Sequence, residues 1–484
     1  MAEPETILAT GLAGLDAALG GGITQRALAL VIGAPGAGKT VLASNIVFNA
    51  ARQGVKVLVF TSYSEGNDQY VQHMRHFDFF DAALLGNNVQ LFSLQSQMSG
   101  DESSAVAIIK TIRATGAKIV LIDGFQSVYP GLSGQQSTRE LLAGLAVQIR
   151  YLDVTLILTI AGDARDANLH AELTVADLTI GLSYTASGLR HQRMLEVVKQ
   201  RGRAQLPGLH RYTIDKQGIQ VFPRIEVYPQ PSALPHDDSR AAFGLAEFDH
   251  MLGGGINTGT SATIAGAPGA GKTTLGLYWA LAEAHPEAVS LIITFSEYPE
   301  QLQRKAAAFQ LDLQGAMESG AVRILRIPPI ELNPDNVATL VLAELAARPV
   351  RRVLFDDISL LLHELGERTS DYISALNALL YGYNITSLYL LEIAAFEGLR
   401  INPANTPLAA LGDSVIIVQQ YEIQGVLRRL LAILRMRLSL FDRTLRELVL
   451  DETGIRVLRP EESATGVLNT AAHLGGGTAP EVEA

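Results

Sequence analysis

The sequence predicts an α/β protein made of two tandem domains, each built around a mostly parallel central sheet. One reason is that an eight-residue glycine-rich motif occurs twice in the 484 residues, each time between an apolar run and a helix-like stretch. A second reason is that the copies lie 233 residues apart (266 − 33), and other segments repeat at nearly the same offset. A third is that strand-like and helix-like runs alternate in both halves, which is typical of parallel sheets.

The repeated motif matches the phosphate-binding P-loop pattern G-x-x-x-x-G-K-[ST]. Its glycines let the backbone wrap an anion, and the helix that follows adds the positive end of its dipole. We expect each lysine to reach the terminal phosphates of a nucleotide and each threonine to ligate Mg²⁺. A glycine-rich turn without a ligand is the alternative, but two identical copies in this context argue against it. The residues are Gly33, Ala34, Pro35, Gly36, Ala37, Gly38, Lys39 and Thr40, and Gly266, Ala267, Pro268, Gly269, Ala270, Gly271, Lys272 and Thr273.

Composition excludes several classes of function. Because the chain has no cysteine, it has no disulfides, no thiolate metal site and no cysteine nucleophile, which is compatible with a reducing compartment. The formal charge of −11 argues against a large nucleic-acid-binding surface. No apolar run reaches the length of about 18 residues that a membrane span needs. The acidic start lacks the basic and apolar regions of a signal peptide, so we expect a cytoplasmic protein.

The repeat also sets the expected domain limits. Residues 11–23, which precede the first P-loop, pair with residues 244–256 at the same offset of 233. We predict a first domain over residues 1–223 and a second over residues 241–459. Residues 224–240 carry three prolines and are predicted to be a stiff linker. Residues 460–484, which are rich in Ala, Gly, Thr and Glu, are predicted to be a disordered tail.

A strand is predicted after each P-loop helix, over residues 56–61 and 288–294, and an acid follows each strand. These acids, Glu65 and Glu297, are 232 residues apart. An acid at the carboxyl end of a parallel strand beside a P-loop is placed to orient or deprotonate an attacking water. The alternative is a carboxylate that favours the start of the next helix. The position slightly favours catalysis.

The next buried strand of each half ends in an aspartate, Asp123 or Asp356, again 233 residues apart. This is the Walker B pattern. An aspartate there would hold the Mg²⁺ shell together with the P-loop threonine, so the predicted metal residues are Thr40, Asp123, Thr273 and Asp356. Gly124 follows the first aspartate and Asp357 follows the second, so the two sites differ locally.

Each half continues with a predicted helix, over residues 138–151 or 371–381, and two apolar strands. The strands are predicted at residues 154–161 and 178–184 in the first half, and at residues 387–394 and 414–421 in the second half.

A basic strand follows in each half, and its basic residues are two positions apart. Lys199 and Arg201 form the first basic pair, and Arg435 and Arg437 form the second. The offset is now 236 (435 − 199), so the second half has gained about three residues after its Walker B strand. Residues two apart lie on one face of a strand. They are either edge-strand charges that prevent aggregation or cationic fingers that reach the γ-phosphate on a neighbouring subunit, and spacing alone does not separate these readings.

Together these motifs resemble the KaiC family of RecA-like ATPases, over about residues 6–458. The resemblance implies that both halves are RecA-like P-loop NTPase domains, and that six subunits form a two-tiered ring with ATP and Mg²⁺ at the subunit interfaces. It also implies that both basic pairs act in trans on the next subunit's nucleotide. Such a cation can be worth on the order of 10³ to 10⁵ in rate.

The sequence departs from the family's clock members at three places. Those members carry two consecutive glutamates where this chain has Ser64 and Ser296 before the remaining acids, and the missing glutamate is the one usually assigned as the base. A general base contributes on the order of 10² to 10⁴ in rate, so we expect slow turnover unless Glu65 and Glu297 replace it.

The second departure is at the Ser-Thr pair that clock members phosphorylate, which aligns with Ala409 and Ala410. Because neither alanine has a hydroxyl, we expect no autokinase activity there. The lone Thr174, which aligns with Ala410, is no indication of a kinase site. Third, Leu438 stands where the first half has Gly202, which changes the surroundings of the second basic pair.

These observations favour a slowly hydrolysing ATP-binding ring protein that signals its nucleotide state to an unknown protein partner. One alternative is a nucleic-acid-dependent ATPase of the RecA kind, which the acidic charge argues against. Another is a nucleotide-gated scaffold without hydrolysis, which Ser64 and Ser296 favour. The predicted catalytic residues are Glu65, Glu297, Lys199, Arg201, Arg435 and Arg437.

Overall fold

The computed structural model describes residues 6–61, 66–94, 104–126, 135–166, 169–187, 190–229, 239–393, 411–423, 425–452 and 454–459. The chain divides into two compact units, residues 1–228 and 229–484. Among the described residues, every helix is too short or too polar to span a bilayer. The predicted tail, residues 460–484, lies outside the described residues.

The first unit contains a small ribbon, a large sheet and helices on both sides of that sheet. Its strands are β1 (Ile7–Leu8), β2 (Ile23–Thr24), β3 (Leu28–Gly33), β4 (Val57–Thr61), β5 (Val89–Ser93), β6 (Ile119–Ile122), β7 (Thr155–Ala161), β8 (Leu178–Ser187), β9 (Arg190–Gln200), β10 (Leu209–Asp215) and β11 (Gly218–Phe222). Its helices are α1 (Ala13–Ala18), α2 (Lys39–Arg52), α3 (Asn67–Met74), α4 (Ser104–Thr115), α5 (Gln135–Leu152) and α6 (His170–Val175).

The large sheet has the strand order β11-β10-β9-β8-β3-β7-β6-β4-β5. The strands from β8 to β5 are parallel, and β9, β10 and β11 extend the sheet as antiparallel hairpins. The P-loop strand β3 therefore lies inside the sheet, between β8 and β7.

Strand β3 is buried on both faces, which explains its continuous apolar sequence. Ala29 and Val31 pack into a core with α1 and α2, whereas Leu30 and Ile32 pack into a second core with α4 and α5. Helices thus cover both faces of the sheet. The loop after β3 opens at the carboxyl edge of the parallel strands, which is where ligands bind in folds of this kind.

The second unit repeats this plan. Its strands are β12 (Arg240–Ala241), β13 (Ile256–Asn257), β14 (Ser261–Gly266), β15 (Val289–Thr294), β16 (Val322–Arg326), β17 (Val350–Asp356), β18 (Thr386–Glu392), β19 (Ser414–Ile423), β20 (Val426–Met436), β21 (Arg446–Asp451) and β22 (Gly454–Leu458). Its helices are α7 (Ala246–Met251), α8 (Lys272–Leu281), α9 (Pro299–Ala308), α10 (Leu313–Glu318), α11 (Pro334–Ala347), α12 (Ser359–Leu365) and α13 (Thr369–Gly382).

The second large sheet has the order β16-β15-β17-β18-β14-β19-β20-β21-β22, which matches the first strand for strand. The predicted fold class, two tandem RecA-like α/β domains with mostly parallel sheets, is confirmed. Strand β18 begins 231 residues after β7 (386 − 155), whereas β19 begins 236 residues after β8 (414 − 178). The length difference that the sequence placed after the Walker B strand therefore includes an insertion between β18 and β19.

The outer elements of the sheets were not predicted from the sequence. These are the edge strands β5 and β16, whose burial is incomplete, and the hairpins β10–β11 and β21–β22. The predicted linker also has folded ends. Residues Ile225–Val227 form a 3-10 turn in which Ile225 is buried, and Arg240 pairs with Asn257. The predicted domain limits stay predictions.

Candidate functional site

Each P-loop joins a strand to a helix that begins at the motif lysine. The residue before each helix, Gly38 or Gly271, has φ of 92° or 100°, a left-handed conformation that favours glycine. Gly33 is required for a different reason. A Cβ there would lie 2.7 Å from the Leu182 carbonyl oxygen on the neighbouring strand. The glycines thus shape an open loop in front of a helix amino terminus, which is the arrangement that binds phosphate.

The P-loop lysines bond to carbonyl groups of their own loops. Lys39 Nζ donates to the Gly33 and Ala34 carbonyl oxygens at 2.9 and 3.0 Å. Lys272 makes the same two contacts in the second loop, also at 2.9 and 3.0 Å. Burial lowers the pKa of both amines, and nearby acids oppose this shift. Both ammonium groups therefore lie inside the loop that would hold phosphates.

In the first domain the predicted metal residues meet. Thr40 Oγ1 lies 3.0 Å from both carboxylate oxygens of Asp123, which is 5% exposed. Thr159 on β7 donates to the same carboxylate at 2.5 Å and accepts from the Gly124 amide at 2.7 Å. The Walker B acid is therefore held between the P-loop helix and the neighbouring strand.

In the second domain Thr273 Oγ1 donates to Asp356 Oδ1 at 3.2 Å. The other carboxylate oxygen of Asp356, Oδ2, is buried and has no hydrogen-bond partner among the described residues. Burial raises the pKa of Asp356 to about 7, and the nearby Glu297 charge adds to this shift. A buried carboxylate oxygen without a donor, next to a threonine hydroxyl, is a suitable place for the hydrated shell of a divalent cation.

The donor set suits Mg²⁺ bound together with a nucleotide. Within the described part of the chain, no three acidic or histidine side chains converge on a point where they could hold a metal ion by themselves. Mg²⁺ at P-loops takes one or two protein ligands and completes its shell with waters and phosphate oxygens. The Thr40–Asp123 and Thr273–Asp356 pairs provide these few ligands.

Only one of the two predicted catalytic acids lies within the described residues. Glu65 lies outside the described residues. Glu297 lies two residues before the first residue of α9, and its amide donates to Thr294 Oγ1 at 3.2 Å. Its carboxylate forms an ion pair with Lys305, which lies on α9. These groups and the P-loop line a cavity of about 360 Å³. Its charged lining residues are Lys272, Glu297, Lys305, Asp356, Asp357 and Glu392.

The first basic pair lies away from its own P-loop. Lys199 sits opposite Thr179 at the amino-terminal end of β8, three residues of strand, or about 10 Å, from the level of Gly33. Its amine donates to the carbonyl oxygens of Leu173 and Thr174 at 2.8 and 3.1 Å. Burial, with the nearby Arg201 charge, lowers its pKa.

Arg201 completes the first basic pair at the same edge of the sheet. It donates to the Thr174 carbonyl oxygen at 2.7 Å and lies 3.4 Å from Asp177 Oδ1. Asp177 also binds Arg150 at 2.9 Å, so one acid holds two arginines. The first basic pair therefore cannot reach the nucleotide site of its own domain.

The second basic pair repeats this placement. Arg435 pairs with Val415 at the start of β19 and donates to the Gly412 carbonyl oxygen. Arg437 lies 3.5 Å from Asp413, the counterpart of Asp177 at the offset of 236 (413 − 177). Both domains thus keep two cations at the amino-terminal edge of the sheet, opposite the P-loop edge.

Sequence reasoning missed one arginine in each domain that bonds to the P-loop directly. Arg193 on β9 donates to the Gly36 carbonyl oxygen at 2.9 Å and stacks over Tyr184. Arg429 on β20 donates to the Gly269 carbonyl oxygen at 3.4 Å. Their separation is 236 (429 − 193), the same offset as the basic pairs. Extending the repeat comparison along the whole basic strand would have found them.

The departures from the clock members lie partly outside the described residues. Ala409 and Ala410 lie outside the described residues, as does Ser64. Thr174 is partly buried at the end of α6, where its carbonyl oxygen accepts from both members of the first basic pair. Leu438 is 66% exposed.

A family model for the KaiC ATPases matches residues 8–226 and again residues 241–462. The circadian clock protein KaiC3 of Synechocystis sp. is 25% identical, over 95% of this chain and 93% of its own length. The circadian clock oscillator proteins KaiC of Picosynechococcus sp. and of Synechococcus elongatus are 23% and 24% identical, each over 92% of this chain and 88% of its own length.

The two matches to the family model fall within the two folded units, and together they cover most of the chain. Each match contains one P-loop, one Walker B acid and one basic pair. Tertiary structure and family comparison thus describe the same duplicated domain. This chain belongs to the KaiC family of ATPases and carries the family's domain twice.

Proposed function

We propose that this protein binds ATP with Mg²⁺ at both P-loops and hydrolyses it slowly, as a ring of six subunits that signals its nucleotide state to a protein partner. The observation that carries the proposal is the repeated geometry of the two cradles. Each domain brings a P-loop lysine, a P-loop threonine and a buried Walker B acid to the carboxyl edge of its sheet.

Different residues of the chain would bind the phosphates, hold the cation and accept the proton during hydrolysis. Loop amides and Lys39 or Lys272 would bind the phosphates, and the threonine–aspartate pairs would hold the cation. When bound, Mg²⁺ offsets the negative charge that develops on the transferred phosphoryl group. Glu297, and Glu65 by its repeated position, would accept the proton of the attacking water.

The placement of the basic pairs supports a ring. Each pair lies at the edge of the sheet opposite its own P-loop, so it can act on a nucleotide only if another subunit presents one. In a closed ring with head-to-tail contacts, the amino-terminal edge of one subunit meets the next subunit's cradle. Catalysis would then depend on assembly.

Slow turnover and signalling rest on the sequence departures. A serine replaces the usual base in each half, so hydrolysis depends on the one remaining acid. Alanines replace the hydroxyl pair that clock members phosphorylate. We therefore propose that nucleotide state, rather than phosphorylation at residues 409 and 410, is what the partner detects.

Phosphate release from ATP tests hydrolysis. We expect slow release by the wild-type protein and none above background by the Lys39→Ala/Lys272→Ala variant. Glu65→Gln and Glu297→Gln should each slow the site they belong to by on the order of 10² to 10⁴. If the wild type is no faster than the double variant but still binds ATP, the protein is a nucleotide-gated scaffold and the hydrolase proposal fails.

The rival function, a nucleic-acid-dependent ATPase, has its own test. Binding to single-stranded DNA through phosphate contacts weakens steeply as salt rises. We expect neither salt-dependent DNA binding nor stimulation of ATP turnover by DNA, since the formal charge of the chain is −11. Strong stimulation at low salt would favour the rival.

A further inference from the structure

The two nucleotide sites differ in the charged residues at three aligned positions. The second site carries Asp357 and Glu392 where the first has Gly124 and Ala161, which occupy the same positions after β6 and at the end of β7. It also carries Lys305 where the first has His73, because each is the seventh residue of the helix that follows the acid. The second site has thus gained two acids and a lysine.

Lys305 is bonded to the carboxylate that the proposed mechanism uses as the base of the second site. Its amine donates to Glu297 Oε1, and both side chains are about one-third exposed, at 31% and 29%. The backbone of Glu297 is fixed as well, because Thr294 Oγ1 bonds to both its amide and its carbonyl oxygen at 3.2 Å. The acid is therefore held at two points.

An ammonium group on that carboxylate opposes the role of a base. A general base must accept a hydrogen bond from the attacking water before it takes the proton. Lys305 occupies an acceptor oxygen and competes with water for the carboxylate. Because the pair lines the same cavity as Lys272 and Asp356, this competition takes place where the nucleotide phosphates would lie.

We propose that Lys305 is a positioning residue that holds Glu297 in an ion pair and so makes the second site retain ATP and turn it over more slowly than the first. This inference rests on the proposed ATP hydrolysis. The first site, with a shorter histidine at this position, lacks the equivalent lysine. The two tiers of the ring would thus have different tasks, with turnover in the first and retention of nucleotide in the second.

The test measures the second site alone, in full-length protein whose first cradle is disabled by Lys39→Ala. In this background we expect Lys305→Met to raise kcat by about five- to fiftyfold, part of the range a general base contributes. Lys305→Arg, which keeps the charge, should restore slow turnover. Arg304→Met removes a cation from the exposed neighbouring position of the same helix and should leave kcat unchanged.

A double variant and a binding measurement decide whether Lys305 acts through Glu297. In Glu297→Gln protein the acceleration by Lys305→Met should disappear, because glutamine cannot act as the base even when residue 305 no longer bonds to it. The Kd for a non-hydrolysable ATP analogue should change by less than about twofold in Lys305→Met, because the amine bonds to the acid and not to phosphate. Binding of the analogue also shows that each variant is folded.

The inference is overturned by slower turnover in Lys305→Met, by analogue binding weakened about tenfold or more, or by acceleration that persists in Glu297→Gln. The first two would mean that Lys305 binds the phosphates. Turnover by the Lys39→Ala background with no gain in Lys305→Met overturns this inference alone. Absence of turnover in the wild type itself overturns the proposed function as well.

Discussion

At the scale of single residues, the two Walker B acids differ in one hydroxyl donor. Thr159 donates to Asp123 in the first domain, whereas the same position of the second domain is Leu390 (390 − 159 = 231, the offset of β18 from β7). Asp356 therefore lacks that donor, and its Oδ2 is left buried without a partner among the described residues. Loss of a hydrogen bond to a buried carboxylate disfavours its charged form.

This difference predicts how stability depends on pH. Because the folded-state pKa of Asp356 is raised to about 7, the folded protein binds this proton more tightly than the unfolded chain. Stability therefore falls as pH rises from about 4 through about 7. Asp356→Asn cannot ionise, so in the absence of Mg²⁺ and nucleotide it should raise the melting temperature at pH 8 and raise it less at pH 6.

Asp123→Asn is the matched control for this prediction. It replaces a carboxylate that already accepts bonds from Thr40 and Thr159, so we expect no gain at pH 8. Calorimetry of the metal-free variants checks both expectations. An equal gain for Asp356→Asn at both pH values would contradict the account, since it would show that the buried charge is not what changes.

At the scale of elements, the junction between β3 and α2 depends on close approach as well as on backbone angle. Gly38 begins the P-loop helix with φ of 92°, and a Cβ there would lie 2.4 Å from Ile214 Cδ1 on β10. The antiparallel hairpin that extends the sheet therefore packs against the loop that would hold phosphates. The second junction is looser, because the nearest atom to a Cβ on Gly271 would be 3.1 Å away, on Leu450.

Alanine substitutions distinguish the cost of the left-handed backbone angle from the cost of close approach to a neighbouring side chain. Gly54 also has a positive φ, of 86°, but nothing lies within 4 Å of a Cβ there. Gly54→Ala should lower the free energy of unfolding by about 1 to 2 kcal/mol, the cost of a left-handed alanine. Gly38→Ala should cost more and should also weaken nucleotide binding, because Ile214 must move. Denaturant unfolding and analogue binding check this prediction, and equal costs without a binding defect would refute it.

At the scale of the whole molecule, the cradles and the basic pairs lie at opposite edges of each sheet. A single chain therefore holds two incomplete sites by the proposed mechanism. Asp177 and Asp413 keep the arginines of the pairs at that edge, where a neighbouring subunit's phosphates would have to compete for them. Assembly and turnover should consequently change together.

Native mass measurement should show six protomers when ATP and Mg²⁺ are present. A monomer under these conditions would remove the in-trans role of the basic pairs. A ring of another size would keep that role but would correct the predicted subunit number.

Mixing two inactive variants tests the shared site more directly. Lys39→Ala/Lys272→Ala protein lacks both cradles, and a variant with all four basic-pair residues changed to alanine lacks the cations. Each should be inactive alone. A mixed ring should recover part of the activity, because an intact cradle then meets an intact basic pair across an interface. Lys216→Ala, at an 81% exposed lysine, is the control for loss of charge and should stay active. No recovery in verified mixed rings would mean that the basic pairs do not act on a neighbouring subunit's nucleotide.

The sequence by itself determined the fold class and the family. It could do so because both depend on local patterns that survive duplication: the glycines of the P-loops, the buried runs of the strands and the constant offset between the halves. The side chains of Thr40 and Asp123 could be paired in advance, because parallel strands bring their carboxyl ends to one edge of the sheet. The roles of these residues stay predictions.

Only the tertiary structure decided which groups surround the acids. The ion pair of Glu297 with Lys305, the bond from Arg193 to the first P-loop and the replacement of Thr159 by Leu390 follow no consensus pattern. The bond from Thr159 to Asp123 crosses between the neighbouring strands β7 and β6, and the bond from Arg193 reaches the loop after β3 from β9, two strands away in the sheet. The side chains that meet across such strands depend on strand order and register, which a sequence repeat does not encode. The two identical P-loops thus lie in sites of different charge, because the residues that the fold brings beside them differ.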